Sequence, residues 1–492
     1  MIEQPPAFDI HNIKDIINLL NDCRFPPIIE RINNECLYWD KVKHLEIPKG
    51  ITHEKLWKLI KLRRSVIMIE QPPAFDIHNI KDIINLLNDC RFPPIIERIN
   101  NECLYWDKVK HLEIPKGITH EKLWKLIKLR RSFISIPFVF QEYKFHYYIT
   151  NATQERLHYF DMNFGGTLGA NSPIPAEDKH RYLVSSLMEE AIASSQMEGA
   201  STTRKKAKDM LRKGTKPRNK SEQMILNNYN TIQHIAKNRE WELTPERLLT
   251  IHRLMTQNTL DNSEDEGRFR TNDDIYVVDN LSGEVVHFPV PYTEIPELIL
   301  LLCRLFNEKG SENFVHPIIK GTLIHFLLAY IHPFCDGNGR TARALLYWYM
   351  LREGYWMTEY LSISRIIYHK KRQYEKAFLY TENDGNDLTY FISFNLHVMS
   401  EAYESLKLYI KNKLSEQYQT ADFIKIPSVN ERQAIILKIV SDKPQSVLTV
   451  KEMETRFNIS NFTARSDLQG LVKLGFLSSV AVNRRLFRNM NK

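Results

Sequence analysis

The stretch His332-Pro-Phe-Cys-Asp-Gly-Asn-Gly-Arg-Thr-Ala-Arg343 carries the strongest indication of fold and chemistry in this chain. It joins two apolar segments that have helical periodicity, and its two glycines let backbone N–H groups close on a ligand. The N-terminus of the second helix favours an anion, and Asn338 is expected to cap that helix. The sequence therefore predicts an anion-binding loop between two helices.

Two arginines favour phosphate as the ligand of this loop. Arg340 and Arg343 fall in the first turn of the second helix, where the helix dipole disfavours cations, and their spacing puts them on one face. Such a pair needs an anionic partner, and phosphate suits the guanidinium geometry. Asp336 is placed to hold Mg²⁺ against phosphate oxygens, and His332 is placed to act as a general base. Each residue alone is also typical of an ordinary surface turn, but the combination favours a phosphate site.

The loop resembles the signature of the Fic family, His-Pro-Phe-x-Asp/Glu-Gly-Asn-Gly-Arg-x-x-Arg. The family pattern defines nine of the twelve positions, and this chain matches all nine. The resemblance extends over about Phe133–Ser405 and implies a mainly α fold, an all-helical Fic domain with a β-hairpin flap. It implies AMP transfer from ATP to Ser, Thr or Tyr hydroxyls of target proteins and of the chain itself, with ATP as substrate and Mg²⁺ as cofactor.

The resemblance also implies a role for each residue of the loop. His332 would deprotonate the target hydroxyl, Asp336 would hold Mg²⁺, and Phe334 would anchor the loop in the core. The remaining positions would bind ATP, with a tyrosine further along the chain placed near the adenine. This ATP-binding set is Gly337, Asn338, Gly339, Arg340, Arg343 and Tyr374.

A hairpin is expected at residues 275–288, in a part of the chain that is otherwise helical. Ile275–Val278 and Glu284–Phe288 have strand character and flank a turn at Asp279–Gly283. The family resemblance makes this hairpin a flap whose backbone pairs with an extended segment of the target protein. Helices are predicted around it at Arg181–Met197, Glu222–Lys237, Pro245–Met255, Ile295–Asn307, His316–Ile331 and Thr341–Glu353.

A second motif lies upstream, where Ser194-Ser-Gln-Met-Glu198-Gly199 ends a predicted helix. Glu198 falls in the last turn, where the dipole disfavours an anion, so a distant cation is expected as its partner. The segment resembles the inhibitory motif of the family, Ser/Thr-x-x-x-Glu-Gly/Asn, which Ser194, Glu198 and Gly199 match. The resemblance implies a self-inhibited enzyme in which Glu198 pairs with Arg343 and denies it to the γ-phosphate.

Residues 423–492 are predicted to form a separate basic unit with winged helix-turn-helix order. Helices at Asn430–Ser441, Thr449–Phe457 and Asn461–Leu474 precede a two-stranded wing at Phe476–Phe487. From Lys425 to Lys492 there are twelve basic and five acidic residues. Duplex DNA and a docked protein both stay open as partners of this unit. The cations suited to phosphate contacts are Arg465, Lys473, Arg484, Arg485 and Arg488.

The N-terminus is an exact tandem repeat, in which Met1–Ser65 recurs as Met68–Ser132. Natural repeat arrays drift in sequence, so this identity favours a very recent duplication or an artefact, and the first copy carries no functional inference. Each copy is predicted to be helical, with a helix over Thr119–Arg131 in the second. The predicted domains are 1–67, 68–132, 133–422 and 423–492, with a linker at Asp422–Val429.

Composition places the chain among soluble globular proteins, with 43% hydrophobic residues, 26% charged residues and a net charge of +8. No apolar run is long enough to span a bilayer and no secretory signal is recognisable, so a cytoplasmic location without a membrane partner is expected. The six cysteines contain no CxxC pair, which argues against a zinc site or a disulfide framework.

Two other functions and one further partner stay open. Glu198 could orient water for the removal of AMP at the same site, and the Fic unit could serve as the sensor of a DNA-binding regulator. A second copy of the chain, in a homodimer, is the further partner.

Overall fold

The computed structural model describes residues 72–73, 92–165, 174, 179–278, 285–310, 314–442, 448–457, 459–482 and 485–490. The first repeat copy lies outside these residues, as do the predicted turn at 279–283 and Arg484. Contacts divide the chain into a larger unit, residues 1–172 and 176–402, and a smaller unit, residues 173–175 and 403–492.

The larger unit is mainly helical and contains two antiparallel hairpins among its described residues. The hairpins are β1 Ile136–Phe140 with β2 Tyr143–Tyr147, and β3 Val277–Val278 with β4 Val285–His287. The helices are α1 Phe92–Asn101, α2 Trp106–Val109, α3 His120–Ile134, α4 Asn151–Phe164, α5 Lys179–Met197, α6 Arg204–Lys213, α7 Lys220–Lys237, α8 Pro245–Thr256, α9 Ile295–Asn307, α10 Pro317–Ile331, α11 Asn338–Arg352, α12 Ile363–His369, α13 Lys371–Asn383 and α14 Thr389–Ile424, which continues past residue 402.

The six helices predicted around the flap hairpin are confirmed, with ends shifted by at most three residues. The predicted flap strands are confirmed as the short pair β3 and β4. Two boundaries were wrong. The second helix starts at Asn338 rather than Thr341, and α14 runs to Ile424, so it takes the first residues of the predicted linker.

The β1–β2 hairpin was missed, because the region after Phe133 was predicted to be helical. The strands are paired from Ile136 opposite Tyr147 to Phe140 opposite Tyr143, which leaves a two-residue turn. Such turns are recognised by Gly, Asn or Asp, whereas here Gln141 takes the left-handed conformation with φ 55°. The aromatic and β-branched residues of the strands were the local signal that was available.

α10 and α11 form the buried centre of the larger unit and hold the active loop between them. Gly321 lets the two helices approach closely, because a Cβ at this position would lie 3.0 Å from Tyr349 Cδ1. Among the described residues, no helix has the length and apolar character needed to cross a lipid bilayer.

Residues 92–132, in the second repeat copy, are an integral part of the larger unit. The predicted helix over Thr119–Arg131 is confirmed as α3, and the Thr119 side chain accepts a hydrogen bond from Lys122 N. Buried residues of α1–α3 share one apolar cluster with Leu379 and Tyr390. The Arg131 side chain, 1% exposed, donates to Tyr390 Oη at 2.6 Å.

Deleting Met1–Ile67 is expected to leave solubility and enzymatic activity nearly unchanged, because residues 92–131 supply the packing surface. Deleting Met1–Ser132 is the matched comparison. It would expose Leu379 and Tyr390 and would remove the two cations, Lys128 and Arg131, that lie 2.9 and 3.7 Å from the Asp384 carboxylate. We expect the longer deletion to aggregate or to melt at a clearly lower temperature. A large loss from the shorter deletion would show that the first copy is also integral.

The smaller unit contains the three helices and the hairpin that were predicted. They are α15 Glu431–Asp442, α16 Val450–Phe457, α17 Asn461–Lys473, β6 Leu477–Val482 and β7 Arg485–Met490. A short strand that was not predicted, β5 Leu448–Thr449, pairs with β7 and gives the sheet order β5-β7-β6. The helices enclose an apolar core, and the buried Asp467 accepts from Arg432 Nε at 2.7 Å. Assignment of this unit to the winged-helix class stays a prediction.

Candidate active site

The loop between α10 and α11 is shaped by two left-handed residues. α10 ends at Ile331, and His332 follows with φ 50° while its N–H donates to the Leu328 carbonyl at 3.0 Å. Gly337 precedes α11 with φ 86°, and a Cβ there would lie 2.8 Å from Thr256 Cγ2. A side chain at Gly337 would therefore be both strained and crowded. These two residues form the turns at either end of the loop.

The Asn338 side chain forms hydrogen bonds across the loop, rather than capping α11 as expected. Its Nδ2 donates to the Phe334 carbonyl at 2.8 Å, and its Oδ1 accepts from Phe334 N at 2.9 Å. The helix begins at Asn338, and the capping position is taken by Gly337. The reciprocal pair satisfies two backbone groups of Phe334, whose ring is fully buried. Phe334 thus lies in the core, as the anchoring role requires.

His252, which the sequence analysis did not single out, supports the same loop from α8. Its ring stacks on Phe334 with centroids 3.7 Å apart. Gly267 N–H donates to His252 Nδ1 at 3.0 Å, so Nε2 carries the proton and donates to the Asp336 carbonyl at 2.8 Å. Burial lowers the pKa of His252 to about 4, which keeps this tautomer neutral at pH 7. A lone histidine in a helical pattern gives no sequence signal for such a contact.

His332 presents one bare ring nitrogen to the cleft. Its Nδ1 lies 3.2 Å from the Ala329 carbonyl, which can only accept, so Nδ1 carries the proton and Nε2 keeps its lone pair. Burial, followed by the charge of nearby His287, lowers the pKa of His332 to about 4. The ring is therefore neutral at pH 7 and has the protonation state that a general base needs.

Arg270 was also missed, although it ties the loop to the flap. Its buried guanidinium donates from Nε to the His332 carbonyl at 3.0 Å and from Nη1 to Asp273 Oδ1 at 2.7 Å. Nη2 donates to the Val290 carbonyl, and the Arg270 N–H donates to the Pro333 carbonyl at 2.9 Å. One side chain therefore joins the backbone of the base to the segments that enter and leave the hairpin.

Replacing Arg270 by lysine is expected to lower the rate of the chemical step by about 10- to 100-fold, or about 1.4–2.7 kcal/mol. An ammonium cannot reach all of the guanidinium's acceptors, so the His332 backbone loses its fixed position. ATP affinity should change little, because the family resemblance assigns phosphate binding to Arg340, Arg343 and the glycine loop. Single-turnover kinetics and ATP titration separate the two effects. The control is Arg268→Lys at an exposed neighbouring position. Full activity in a folded Arg270→Lys chain would contradict the assignment.

The flap strand β4 is fastened to helices on both sides of the cleft. His287 Nε2 donates to the Tyr330 carbonyl at 2.8 Å, and its Nδ1 lies 2.9 Å from Glu382 Oε2. Burial opposes a charge on this ring, but the Glu382 carboxylate outweighs that effect and raises the pKa of His287. The protonated form makes both contacts, and it is the form favoured towards lower pH.

Arg343 reaches from α11 to the end of α5, where it contacts two of the three residues of the second motif, Ser194 and Glu198. Its Nε donates to Ser194 Oγ and its Nη2 to the Ser194 carbonyl, each at 3.0 Å. The same Nη2 donates to Glu198 Oε1 at 2.9 Å. A Cβ built on Gly339 would overlap this carboxylate, so Glu198 lies at the mouth of the anion-binding loop. The distant cation expected for Glu198 is therefore Arg343.

The charge of Glu198 favours this ion pair at neutral pH. Burial opposes its ionisation, but Arg343 and Arg340 outweigh that effect and hold the pKa of Glu198 below its ordinary value. A lowered pKa stabilises the folded pair above the ordinary carboxyl pKa, and this stability is lost only as the pH falls through the lowered value. The end of α5 is also held by Lys371 Nζ, which donates to the Met197 carbonyl at 3.2 Å.

Asp336 offers one exposed carboxylate beside the loop. The side chain is 55% exposed, and its Oδ1 lies 3.5 Å from Nη2 of the buried Arg340, whose Nε has no hydrogen-bond partner among the described residues. The described residues contain no group of three or more His, Cys, Asp or Glu side chains arranged for a metal. This donor set fits Mg²⁺ held by one carboxylate and by phosphate oxygens, as is usual with nucleotides.

Tyr374 contributes to an apolar wall of the cleft. Its buried hydroxyl lies 2.9 Å from His325 Nε2, and its ring packs edge-on against Phe378 at 5.1 Å. Burial lowers the pKa of His325 to about 3, so this buried ring stays neutral. Together with Leu379, these rings form a surface that suits a flat aromatic ring.

One cleft of about 410 Å³ brings together half of the twelve sequence-predicted site residues. The flap strands also border it, through Val277, Val278 and His287. The other six predicted site residues do not line the cleft and belong to the loop, to the start of α11 or to the end of α5. They are Phe334, Gly337, Asn338, Arg340, Ser194 and Gly199. Those that line it are Glu198, His332, Asp336, Gly339, Arg343 and Tyr374.

Comparison with protein families places a known domain over this site. Residues 242–350, which hold α8, the flap, the loop and most of α11, match the model of the Fic/DOC family. A segment of the chain is 37% identical over 100 residues to the protein adenylyltransferase Fic of Drosophila grimshawi, and 34% identical over 116 residues to that of Drosophila erecta. These segments cover 20% and 23% of this chain, and 19% and 21% of the two relatives.

Solved structures of the same family resemble the chain more loosely. A Fic family protein from Desulfovibrio desulfuricans G20 has a TM-score of 0.44 and 18% identity, covering 69% of this chain and 95% of that protein. Fic-1 from C. elegans has a TM-score of 0.44 and 14% identity, covering 79% of this chain and 98% of that structure.

Proposed function

From the Fic/DOC domain at residues 242–350, we propose that this chain transfers AMP from ATP to hydroxyl side chains of proteins, itself included. The observation that carries the proposal is a single cleft in which the bare Nε2 of His332, the Asp336 carboxylate and the Arg343 guanidinium meet beside a left-handed glycine loop. The Drosophila relatives are named for this activity, but the chain spans only about a fifth of their length. Activity, substrates and partners are therefore proposed for this chain.

The chemistry follows from the placement of these groups. The target hydroxyl oxygen attacks the α-phosphorus, its proton moves to His332 Nε2, and the bond to the β-phosphate oxygen breaks, so that pyrophosphate leaves. Arg343 and Arg340 offset the charge of the outer phosphates, and backbone N–H groups of the loop surround them. Holding the reacting groups in fixed positions supplies most of the rate acceleration, because such a transfer needs no covalent intermediate with the protein.

Mg²⁺ is proposed as the cofactor, with Asp336 as the residue that would hold it. When bound, the ion would neutralise charge on the phosphates. The flap is the proposed binding site for the target protein, since β3 and β4 are short, border the cleft and pair only with each other among the described residues. A segment in extended conformation could add to such an edge through main-chain hydrogen bonds.

We also propose that the enzyme is self-inhibited. The Glu198 carboxylate holds the Arg343 guanidinium and lies where a phosphate would enter the loop. A second direction of the same chemistry is favoured by one observation: the Glu198 side chain is 31% exposed within the cleft, so it could orient a water molecule that removes AMP from a modified protein.

The proposed activity is tested with ATP labelled at the α-phosphate. Label should appear on protein in the presence of Mg²⁺, and mass spectrometry should show an added AMP on Ser, Thr or Tyr. ATP labelled at the γ-phosphate is the control and should leave protein unlabelled. Transfer of the γ-label, or no transfer by any variant of the chain, would refute the proposal.

For the smaller unit we propose contact with duplex DNA. α17 exposes Asn461, Arg465, Ser466 and Gln469, the side-chain types that recognise base edges and phosphates. Neutralising Arg465 and Lys473 should weaken duplex binding and make it less dependent on salt. Unchanged binding would favour a protein as the partner of this unit.

A further inference from the structure

The segment from Arg204 to Lys220 is the most basic part of the larger unit. It contains nine basic residues and one acidic residue, an excess as large as the net charge of +8 of the whole chain. Residues 204–213 form α6, which is followed by the left-handed Gly214 and by a segment that leads to α7 at Lys220. This segment follows directly on the motif at Glu198, yet no role in AMP transfer accounts for its charge.

α6 is held firmly from its apolar side. Ala207, Met210 and Leu211 are buried in a cluster with Met188 and Ile192 of α5. The basic side chains are exposed to solvent, apart from the half-buried Lys208. The packing of α6 on α5 therefore leaves most of these cations exposed to solvent.

Part of this charge is balanced by acidic neighbours. Arg204 and Lys208 both contact the Glu189 carboxylate of α5, and Lys206 lies 2.8 Å from Glu222 Oε1. These three cations hold α6 against its neighbours, so they belong to the framework of the larger unit.

Four further cations have no such balance. Lys205, Arg212, Lys213 and Lys216 are exposed, and no described carboxylate lies within ion-pair distance of any of them. Like charges at this density repel one another, which favours a polyanionic partner. This quartet is called the basic surface below.

The absence of aromatic and large apolar side chains from this segment indicates which polyanion it could bind. Between Arg204 and Lys220 there is no aromatic residue, and none of the exposed large hydrophobic side chains of the chain falls there. Single-stranded nucleic acids are bound through aromatic stacking, and helices that lie on membranes insert apolar side chains. Neither is available, whereas contact with the phosphates of a duplex needs cations alone.

We propose that the basic surface binds the phosphodiester backbone of double-stranded nucleic acid without sequence preference. The binding is separate from the DNA contact proposed for the smaller unit. It also does not depend on the proposed AMP transfer, because none of the four residues lines the cleft or touches Glu189.

The test uses the full chain and a fluorescent duplex DNA of mixed sequence, with affinity measured over a range of salt concentrations. The variant carries K205Q, R212Q, K213Q and K216Q. The control carries K122Q, R130Q, R304Q and K309Q, four exposed cations elsewhere on the larger unit, so both chains have the same net charge. Glutamine keeps helix propensity, and an unchanged circular dichroism spectrum and melting temperature verify the fold of the variant.

We expect the variant to lose at least about tenfold in affinity near 0.1 M salt. Its slope of log affinity against log salt should be shallower by about 3 to 4, since each phosphate contact contributes about 0.9. DNA contacts of the smaller unit affect all three chains equally, so the difference in slope isolates the basic surface. Equal slopes in variant and control overturn the proposal. It is also overturned if vesicles of phosphatidylserine, but not the duplex, bind through these four residues.

Discussion

A His332→Ala chain is expected to transfer AMP about 10²- to 10⁴-fold more slowly, because no other described group in the cleft offers a neutral ring nitrogen to the target hydroxyl. ATP affinity should stay within a few-fold of the parent value. In the proposed mechanism Arg343 and the backbone of the loop hold the phosphates, and neither depends on the imidazole ring. The loss should therefore fall on kcat and leave the Kd of ATP nearly unchanged.

This prediction is measured with α-labelled ATP for transfer and with calorimetry for ATP binding. His158→Ala is the matched control, since His158 is exposed on α4 and lies outside the cleft. Retained turnover in a pure His332→Ala chain would remove His332 from the mechanism. Loss of ATP binding together with turnover would mean that the ring shapes the loop rather than accepting the proton.

The pH profile gives an independent check on the same residue. Because the pKa of His332 is lowered to about 4, the ring stays neutral from pH 8 down to pH 6. The acid limb of kcat/KM, which reports groups of the free enzyme, should therefore lie well below 6.5. A limb near pH 6.5 that disappears in His332→Ala would place the ring in solvent rather than in its half-buried position.

The parts of this site that could be predicted from sequence are those with local signals. Glycine spacing, helical periodicity and two arginines near the start of a helix indicated the phosphate loop before any contact was known. The need of Glu198 for a distant cation could be predicted as well, because its charge opposes the dipole of its own helix. The identity of that cation, Arg343, followed from the family resemblance.

The supporting contacts had no such signal. Arg270 donates to backbone carbonyls of His332 and Val290, and carbonyl acceptors leave no trace in the sequence. His252 occupies a buried position that any apolar residue could fill as far as periodicity shows. Asn338 was assigned to a cap because caps are local, whereas its true partner, Phe334, is set by the path of the loop. Analysis of sequence patterns therefore misses the side chains whose role is to form hydrogen bonds with distant backbone groups.

Glu198→Gly is expected to raise AMP transfer and self-modification by at least about tenfold, which corresponds to about 1.4 kcal/mol of relieved competition. The carboxylate competes with ATP in two ways. It neutralises the Arg343 guanidinium, and it fills the space beside Gly339 that a phosphate needs. Ser194 still accepts from Arg343 Nε in the variant, so the guanidinium stays in place while one side of it becomes available.

Three further chains show whether the gain comes from this contact. Glu375→Gly removes another carboxylate that lines the cleft and should not activate, because Glu375 is not the carboxylate that pairs with Arg343. Arg343→Ala should lose activity, and Glu198→Gly should not rescue it, since the phosphate contact is gone in both. If Glu198→Gly leaves transfer unchanged but abolishes removal of AMP from a modified protein, the inhibitory role is wrong. Glu198 then acts by orienting water, since a carboxylate 2.9 Å from Arg343 and partly open to solvent could serve either purpose.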